Sequence, residues 1–274
     1  MSGQQVFYRP EHLPMLEIRQ ASATSVAYHR HSHEEFSIGV VDSGNTDYFI
    51  SGQTRRIGPG AVVLMNPDQV HACNPLHLQS WSYRMLYLQA DWLAALQADV
   101  LERSPDSGFQ AMSQSLLCGD SHYQQYHQLC SLLISPHSRL SAEVNLTDYF
   151  AGLIQADQHC DTPAQFKNVS HLQRAYEFIA DECVREICLD DVAAVAGLSR
   201  YRLVHAFRQH YGITPHALQI TRRINHARQL LKTGNSIAAV AADTGFTDQS
   251  HFHRHFKRQV AVTPRQYQLS AGYR

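Results

Sequence analysis

Apolar positions change rhythm along this chain. In residues 1–90 they form short runs broken by Gly, Pro, Asn and Asp. FSIGVVDSGNTDYFISGQTRRIGPGAVVLMNPDQVHA, residues 36–72, reads as strand, turn, strand, turn, strand, with GPG at 58–60 and NPD at 66–68 as breakers. That spacing predicts a β-sandwich or barrel. Alternation puts residues 37, 39 and 41 on the face of Glu35 and Phe36, Ile38 and Val40 on the other, without saying which face points inward.

From about Asp91 the rhythm becomes helical, through WLAALQADVLE and then YQQYHQLCSLLI. A third helix is expected from Ser141 to Gln158, with Val144, Tyr149, Phe150, Leu153 and Ile154 as its apolar positions. The polar, Pro-containing stretch that follows places a linker at 161–169. Beyond it the chain is helical. Leu172, Ala175, Tyr176, Ile179, Ala180 and Cys183 keep to one helical stripe, and Ser170 stands at its start as a cap.

An internal repeat organises this second half. LDDVAAVAGLS at 189–199 matches IAAVAADTGFT at 237–247, and LVHAFRQHYGITP at 203–215 matches FHRHFKRQVAVTP at 252–264. One residue is added at the second turn. In each copy a short Ala/Val helix reaches a Gly (Gly197, Gly245), where a left-handed backbone ends it. An apolar plug follows (Leu198, Phe246), then a Ser or Thr able to cap the next helix (Ser199, Thr247). Leu203 and Phe207 in one copy, Phe252 and Phe256 in the other, are the buried positions of that next helix. This is the composition of a helix-turn-helix, whose second helix enters the DNA major groove. Between the copies, HALQITRRINHARQLLK carries Ile220, Ile224, Ala227 and Leu231 on one stripe. A helix of that length spans roughly 25 Å, suited to presenting two reading helices to successive groove segments about 34 Å apart.

The net charge of −1 hides an asymmetry. Residues 1–168 carry 9 Lys+Arg and 16 Asp+Glu, whereas residues 169–274 carry 14 and 8. A basic module joined to an acidic one fits a polyanion-binding half attached to something else. The six cysteines are scattered with no CxxC pair, which fits reduced thiols and a cytoplasmic address. The start, MSGQQVFYRPEHLP, lacks a signal-peptide pattern, and no apolar stretch approaches the ~20 residues of a membrane span.

At this point a resemblance becomes specific. RINHARQLL followed by IAAVAADTGFTDQSHFHRHFKRQVAVTPRQY resembles the signature of the AraC/XylS transcription regulators, with Ala261 where Gly is usual. Residues 170–274 are therefore expected to form that family's DNA-binding domain. The resemblance implies base contacts from Tyr201, Val204, His205, Gln249, Ser250, His253 and Arg254. Side-chain chemistry agrees for most of them, since Gln pairs with adenine, Arg with guanine and an apolar group touches the thymine methyl. Arg200 is a further exposed candidate on the first reading helix, as is Asp248 at the start of the second. Arg208, Lys257, Arg258 and Arg265 suit phosphates. Arg223, within the signature-like string, reads as structural.

HRHSHEEFSIGVV (29–41) and PGAVVLMNPDQVH (59–71) set HxH, Glu and a later His on strand-like texture. Residues ~20–90 resemble the cupin-like sensor barrel of AraC-type regulators. Such a set can hold a divalent metal, but metal cupins place the Glu several residues beyond HxH, and here Glu34 and Glu35 follow His33 at once. The expectation is an effector pocket without metal, lined by His31, His33, Glu35 and His71, with Tyr48 and Trp81 as further wall residues.

The resulting assignment is an α+β chain of two domains. A cupin-like (jelly-roll) β-barrel with trailing helices occupies 1–160 as the effector-sensing and dimerisation domain. An all-α bundle with two helix-turn-helix units, at about 189–210 and 237–258, occupies 170–274. The expected function is sequence-specific, effector-controlled transcription regulation, with activation favoured by the resemblance. The expected partners are double-stranded DNA, a small-molecule effector, a second copy of the chain and RNA polymerase; no membrane, cofactor or catalysis is expected. The rivals are a metal-dependent cupin enzyme with a DNA-binding tail and an architectural DNA-binding protein whose barrel only dimerises.

Overall fold

Alternation in the first half closes into two antiparallel sheets. The computed structural model describes residues 4–76, 79–134, 139–158 and 170–270, so the expected linker at 161–169 lies outside the described residues. The strands are β1 (Gln4–Tyr8), β2 (Leu16–Thr24), β3 (Phe36–Ser43), β4 (Thr46–Ile50), β5 (Gln53–Ile57), β6 (Val62–Met65), β7 (His71–Pro75), β8 (Trp81–Leu88) and a short β9 (Leu116–Leu117). One sheet has the order β1-β2-β8-β3-β6-β9 and the other β5-β4-β7. Helices α1 (Ala90–Val100), α2 (Asp120–Ile134) and α3 (Arg139–Asp157) follow the barrel.

The open question of facing resolves on β3. Phe36, Ile38 and Val40 join Leu16, Ile18, Leu86 and Leu88 in a core shared with Leu93 of α1, Leu129 of α2 and Phe150 of α3. The three helices thus cover the outer face of the large sheet, and Tyr126 of α2 donates to the Ile38 carbonyl at 2.9 Å. Val41, Val63, Met65, Trp81 and Tyr83 point the other way and meet Tyr48, Ile50 and Ile57 of the small sheet. That second cluster is the barrel interior.

The basic half consists of α4 (Ser170–Asp181), α5 (Leu189–Ala196), α6 (Arg200–Tyr211), α7 (Pro215–Lys232), α8 (Ile237–Asp243), α9 (Gln249–Val260) and α10 (Pro264–Leu269). Leu203 and Phe207 are fully buried in the first copy, as are Phe252 and Phe256 in the second. Ile220, Ile224, Ala227 and Leu231 form the buried stripe of α7. Neither helical core is closed by its own half alone. Phe49, Val70 and Ala72 of the barrel complete the first, and Phe7 completes the second.

The two turns differ in detail. Gly197 has φ 64° and Gly245 φ 76°. A Cβ on Gly245 would collide with the Val184 carbonyl oxygen, so no other residue fits there. Ser199 caps α6 by accepting from the Arg202 amide. In the second copy the cap is Asp248, whose Oδ1 accepts from the His251 amide at 2.7 Å, and not Thr247. The residue added at that turn moves the cap one place along the chain. Gly212 ends α6 with φ 75°, and its counterpart Ala261 ends α9 with φ 64°. A Cβ in this region costs ~1–2 kcal/mol.

Ala261→Gly is therefore expected to stabilise the protein by about 0.5–1 kcal/mol, after the extra unfolded-state entropy of Gly is subtracted. Equilibrium denaturation measures this, and a destabilised variant would show that the methyl's packing outweighs the strain.

Candidate DNA-reading surface and barrel cavity

Exposure on the reading helices follows from what their cores consume. On α6, Arg200, Tyr201, His205 and Arg208 are exposed and Val204 is half-buried. Tyr201 is 73% exposed, an extreme value for a large aromatic ring with no core to enter. Arg200 is paired with Asp190 of α5, so its charge braces the turn. On α9, Gln249, Ser250, His253, Arg254 and Lys257 line one open hollow together with Thr263. Asp248, a candidate from sequence, is engaged as the helix cap.

Arg223 donates to the Cys183 carbonyl at 2.6 Å, to the Arg185 carbonyl at 3.0 Å and to the Gly245 carbonyl. It ties the end of α4 to the turn of the second unit, as its place in the signature suggested. The next turns of α7 face the barrel instead. Arg222 pairs with Glu34 at 3.1 Å and with Asp68 at 2.8 Å. Asn225 donates to the Ser32 carbonyl at 3.2 Å. Arg228 reaches Glu17 at 3.0 Å and Glu35 at 3.4 Å.

Glu17, only 3% exposed, is the centre of this seam. Besides Arg228 it meets Arg9 at 2.6 Å and Lys232 at 3.4 Å, and accepts from the Tyr267 hydroxyl at 2.8 Å. Burial alone would raise its pKa, but Lys232, Arg228 and Arg9 together hold the carboxyl well below the usual carboxylate range. The carboxylate is ionised, and its counter-charges come mostly from the other half of the chain.

The six barrel residues expected to line a pocket separate into three places. His31, His71 and Trp81 line a cavity of about 50 Å³ between the sheets, with Arg19, Tyr28, Tyr83, Tyr87, Met65 and Met85. His33 lines a second, smaller space at the seam, beside Glu17, Arg19 and Arg228. Glu35 does not line the barrel cavity: the strand directs its carboxylate at Arg228. Tyr48 does not line the cavity: its hydroxyl donates to the Leu64 carbonyl at 3.0 Å within the barrel-interior cluster.

The three histidines are neutral donors to the backbone. Nδ1 of His31, His33 and His71 lies 2.7–2.8 Å from the carbonyls of His29, Glu35 and Gln69. A carbonyl only accepts, so each Nδ1 carries the proton and each Nε2 a lone pair. The His71 ring centre lies 4.7 Å from that of His31 in a tilted pair and 4.8 Å from that of His33 edge to face. Burial pushes all three pKa values down, that of His71 to about 4. Among the described residues, no group of three or more His, Cys, Asp or Glu has the geometry of a metal site.

Sequence reasoning missed Arg19, Tyr28, Tyr83 and Tyr87, and the seam residues Arg222, Asn225 and Arg228. One signal was present: Glu17 and Arg19 alternate with apolar Leu16 and Ile18 in LEIRQASAT. Two charges on a strand buried on both faces must each find a partner.

A pH dependence follows from the histidines. Unfolded His takes up a proton near pH 6.5, whereas folded His71 does so only near 4. Between those values the unfolded state binds more protons, so stability falls as the pH drops through that window. The His71 share is on the order of 3 kcal/mol. His71→Gln is expected to lose less stability than the parent between pH 7.5 and 5 in urea denaturation. Equal losses would show that His71 is not protonated on unfolding.

The AraC-like ligand binding domain matches residues 13–150, and a helix-turn-helix domain matches residues 192–270. The chain is 28% identical over 229 residues to the HTH-type transcriptional regulator YbfI of Bacillus subtilis, covering 81% of this chain and 80% of that one. It is 26% identical to the HTH-type transcriptional activator RhaS of Enterobacter, over 95% of this chain and 94% of that one. The apo crystal structure of a ToxT point variant from Vibrio cholerae superposes with a TM-score of 0.62 at 16% identity, over 94% of this chain and 98% of that one. No helix among the described residues is long and apolar enough to cross a membrane. With a ligand-binding barrel over half its length and a duplicated helix-turn-helix behind it, the chain belongs to the AraC family of DNA-binding transcription regulators.

Proposed function

We propose that this protein is a cytoplasmic transcription activator whose contact with its operator is set by a small molecule held in the barrel. One observation carries the reading: α7 is gripped by the barrel through Arg222, Asn225 and Arg228. The same helix spaces the two reading helices. A ligand that alters the barrel's hold on α7 therefore biases how α6 and α9 are presented to DNA, by differential affinity for the two arrangements. Base reading is assigned to Tyr201, Val204, His205, Gln249, Ser250, His253 and Arg254. Phosphate anchoring is assigned to Arg208, Lys257, Arg258 and Arg265. Leu140 and Val144, one turn apart on α3 and 69% and 47% exposed, supply an apolar face for a second copy. The name of the RhaS relative, an activator, supports the sign of regulation and with it a contact with RNA polymerase.

Footprinting on genomic fragments at two salt concentrations tests this. The expected result is an asymmetric site of two major-groove segments per subunit with steep salt dependence; salt-sensitive binding without sequence preference overturns it. On that site Arg254→Ala should cost ~1–3 kcal/mol and relax preference at one base, while Lys257→Ala weakens all sequences alike and lowers the salt slope by about 1. Equal losses for Arg254→Ala on specific and random DNA would remove it from the readers.

The seam makes a separate prediction. Glu17→Ala leaves Arg9 and Lys232 without their carboxylate and Arg228 with Glu35 alone, which costs about 3–5 kcal/mol for a buried pair broken on one side. Calorimetry should show the barrel and helical domain unfolding in separate transitions. A single transition within about 1 kcal/mol of the parent would mean that the apolar contacts of Phe7 and Phe49 hold the domains without the charges.

A further inference from the structure

The barrel cavity contains a buried cation without a counter-ion. Arg19, 5% exposed, donates from Nη2 to Gln5, to the Tyr28 hydroxyl at 2.7 Å and to the Val260 carbonyl at 2.8 Å. All three acceptors are neutral, and among the described residues no carboxylate pairs with it. Its Nε has no partner, nor does the Trp81 indole Nε1, which lines the same cavity at 3% exposure. Both residues line one cavity, and a buried donor left without an acceptor destabilises the fold, the more so when it is charged. The other neighbours of Arg19 are the Phe7, Tyr28 and Tyr83 rings, centred 5.2, 5.2 and 5.6 Å from the guanidinium carbon, and the Tyr87 hydroxyl; these soften the charge but none is an anion. Among the described residues, Arg9, Arg19, Arg228 and Lys232 stand against Glu17 and Glu35 at the heart of the seam, and the nearby histidines are neutral.

We propose that the cavity binds a small organic monocarboxylate with a flat apolar body, its carboxylate held by Arg19 Nε and Trp81 Nε1. The inference rests on the effector reading above and names the class of effector. Much of the remaining wall is apolar: Val41, Ile57, Val63 and the stacked Trp81–Tyr83 rings, centred 4.3 Å apart, suit a flat body better than a hydrated inorganic ion, and the Tyr28 and Tyr83 hydroxyls bond each other at 2.6 Å. His31 and His71 present lone pairs, which repel a second anionic group but accept from a ligand hydroxyl. At about 50 Å³ the cavity admits a single ring only as Met65 and Met85 yield, and these unbranched side chains readily do.

The same guanidinium reports to DNA. Val260 is the last residue of α9, and its carbonyl is held by Arg19 Nη2. An anion on Nε draws the guanidinium toward the cavity and so acts on the end of the second reading helix.

The test uses the full chain with Trp92→Phe, which leaves Trp81 as its single tryptophan. The probes are 3-phenylpropanoate and its neutral amide, 3-phenylpropanamide, read by tryptophan fluorescence and thermal midpoint. The acid is expected to quench Trp81 saturably and raise the midpoint, with the amide weaker by on the order of tenfold or more. Arg19→Gln abolishes that preference. Arg19→Lys, which keeps the charge should the glutamine variant not fold, retains it at lower affinity. No response to the acid, or equal responses to acid and amide, overturns the anion site. Operator binding measured with each probe separates the two readings. Acid binding that leaves operator affinity unchanged keeps the site and overturns its role as effector control. An amide that shifts operator affinity as strongly as the acid keeps effector control and overturns the charge.

Discussion

Removing a carboxylate from water is tolerable only where cations and hydrogen-bond donors replace the lost hydration. Glu17 sits in such a place, and its partners are drawn from distant parts of the chain. Arg9 and Glu17 itself belong to the barrel; Arg228, Lys232 and Tyr267 belong to the helical half. Buried as a carboxylate, Glu17 is therefore compensated in full only when the two halves are docked. Phe7 and Phe49, inserted into the two helical cores, add apolar area to the same junction. Charge and burial together turn two domains with separate sequence textures into one assembly.

The docking converges on α7, which has two faces with different duties. Ile220, Ile224, Ala227 and Leu231 fasten it inside the helical bundle. Arg222, Asn225 and Arg228 lie on another side and hold the barrel. A helix rigid along its length passes a displacement at one side to whatever is fastened on the other. Reading helices need a fixed separation to meet successive groove segments, and the barrel holds the helix that spaces them. Arg19 adds a second link, running from the barrel cavity to the end of α9 without passing through α7.

The duplicated units show how local chemistry tolerates change. One inserted residue moves the N-cap from the Ser199 position to Asp248, and the buried frame of Phe252 and Phe256 resumes unaltered. Ala261 takes the left-handed conformation its counterpart Gly212 adopts freely, because the turn it ends is fixed on both sides by packing. Arg200, exposed and cationic on a reading helix, braces Asp190. Position on the reading helix and freedom to meet DNA are therefore different properties.

Local periodicity and the repeat were sufficient to mark the first half as strands, to place most helices, both helix-turn-helix units and the buried stripe of α7, because these depend on neighbours a few residues away; they read three strands over 36–72 where five stand. The signature-like string carried the family for the same reason. Of the barrel residues singled out from HxH and its following strands, His31, His71 and Trp81 meet in one cavity, while His33 and Glu35 turn to the seam and Tyr48 to the core. Alternation marked two faces on β3 but contained no information about which sheet or helix would cover each. Arg19 stands opposite Met85 only through strand register, and Arg228 meets Glu17 across 211 residues. Such partners are chosen by closure of the barrel and docking of the halves, in which total burial and charge balance are decided together. The elements and their kind lay in the sequence, and the cavity, the clamp and the route between them arose only when distant segments were brought into contact.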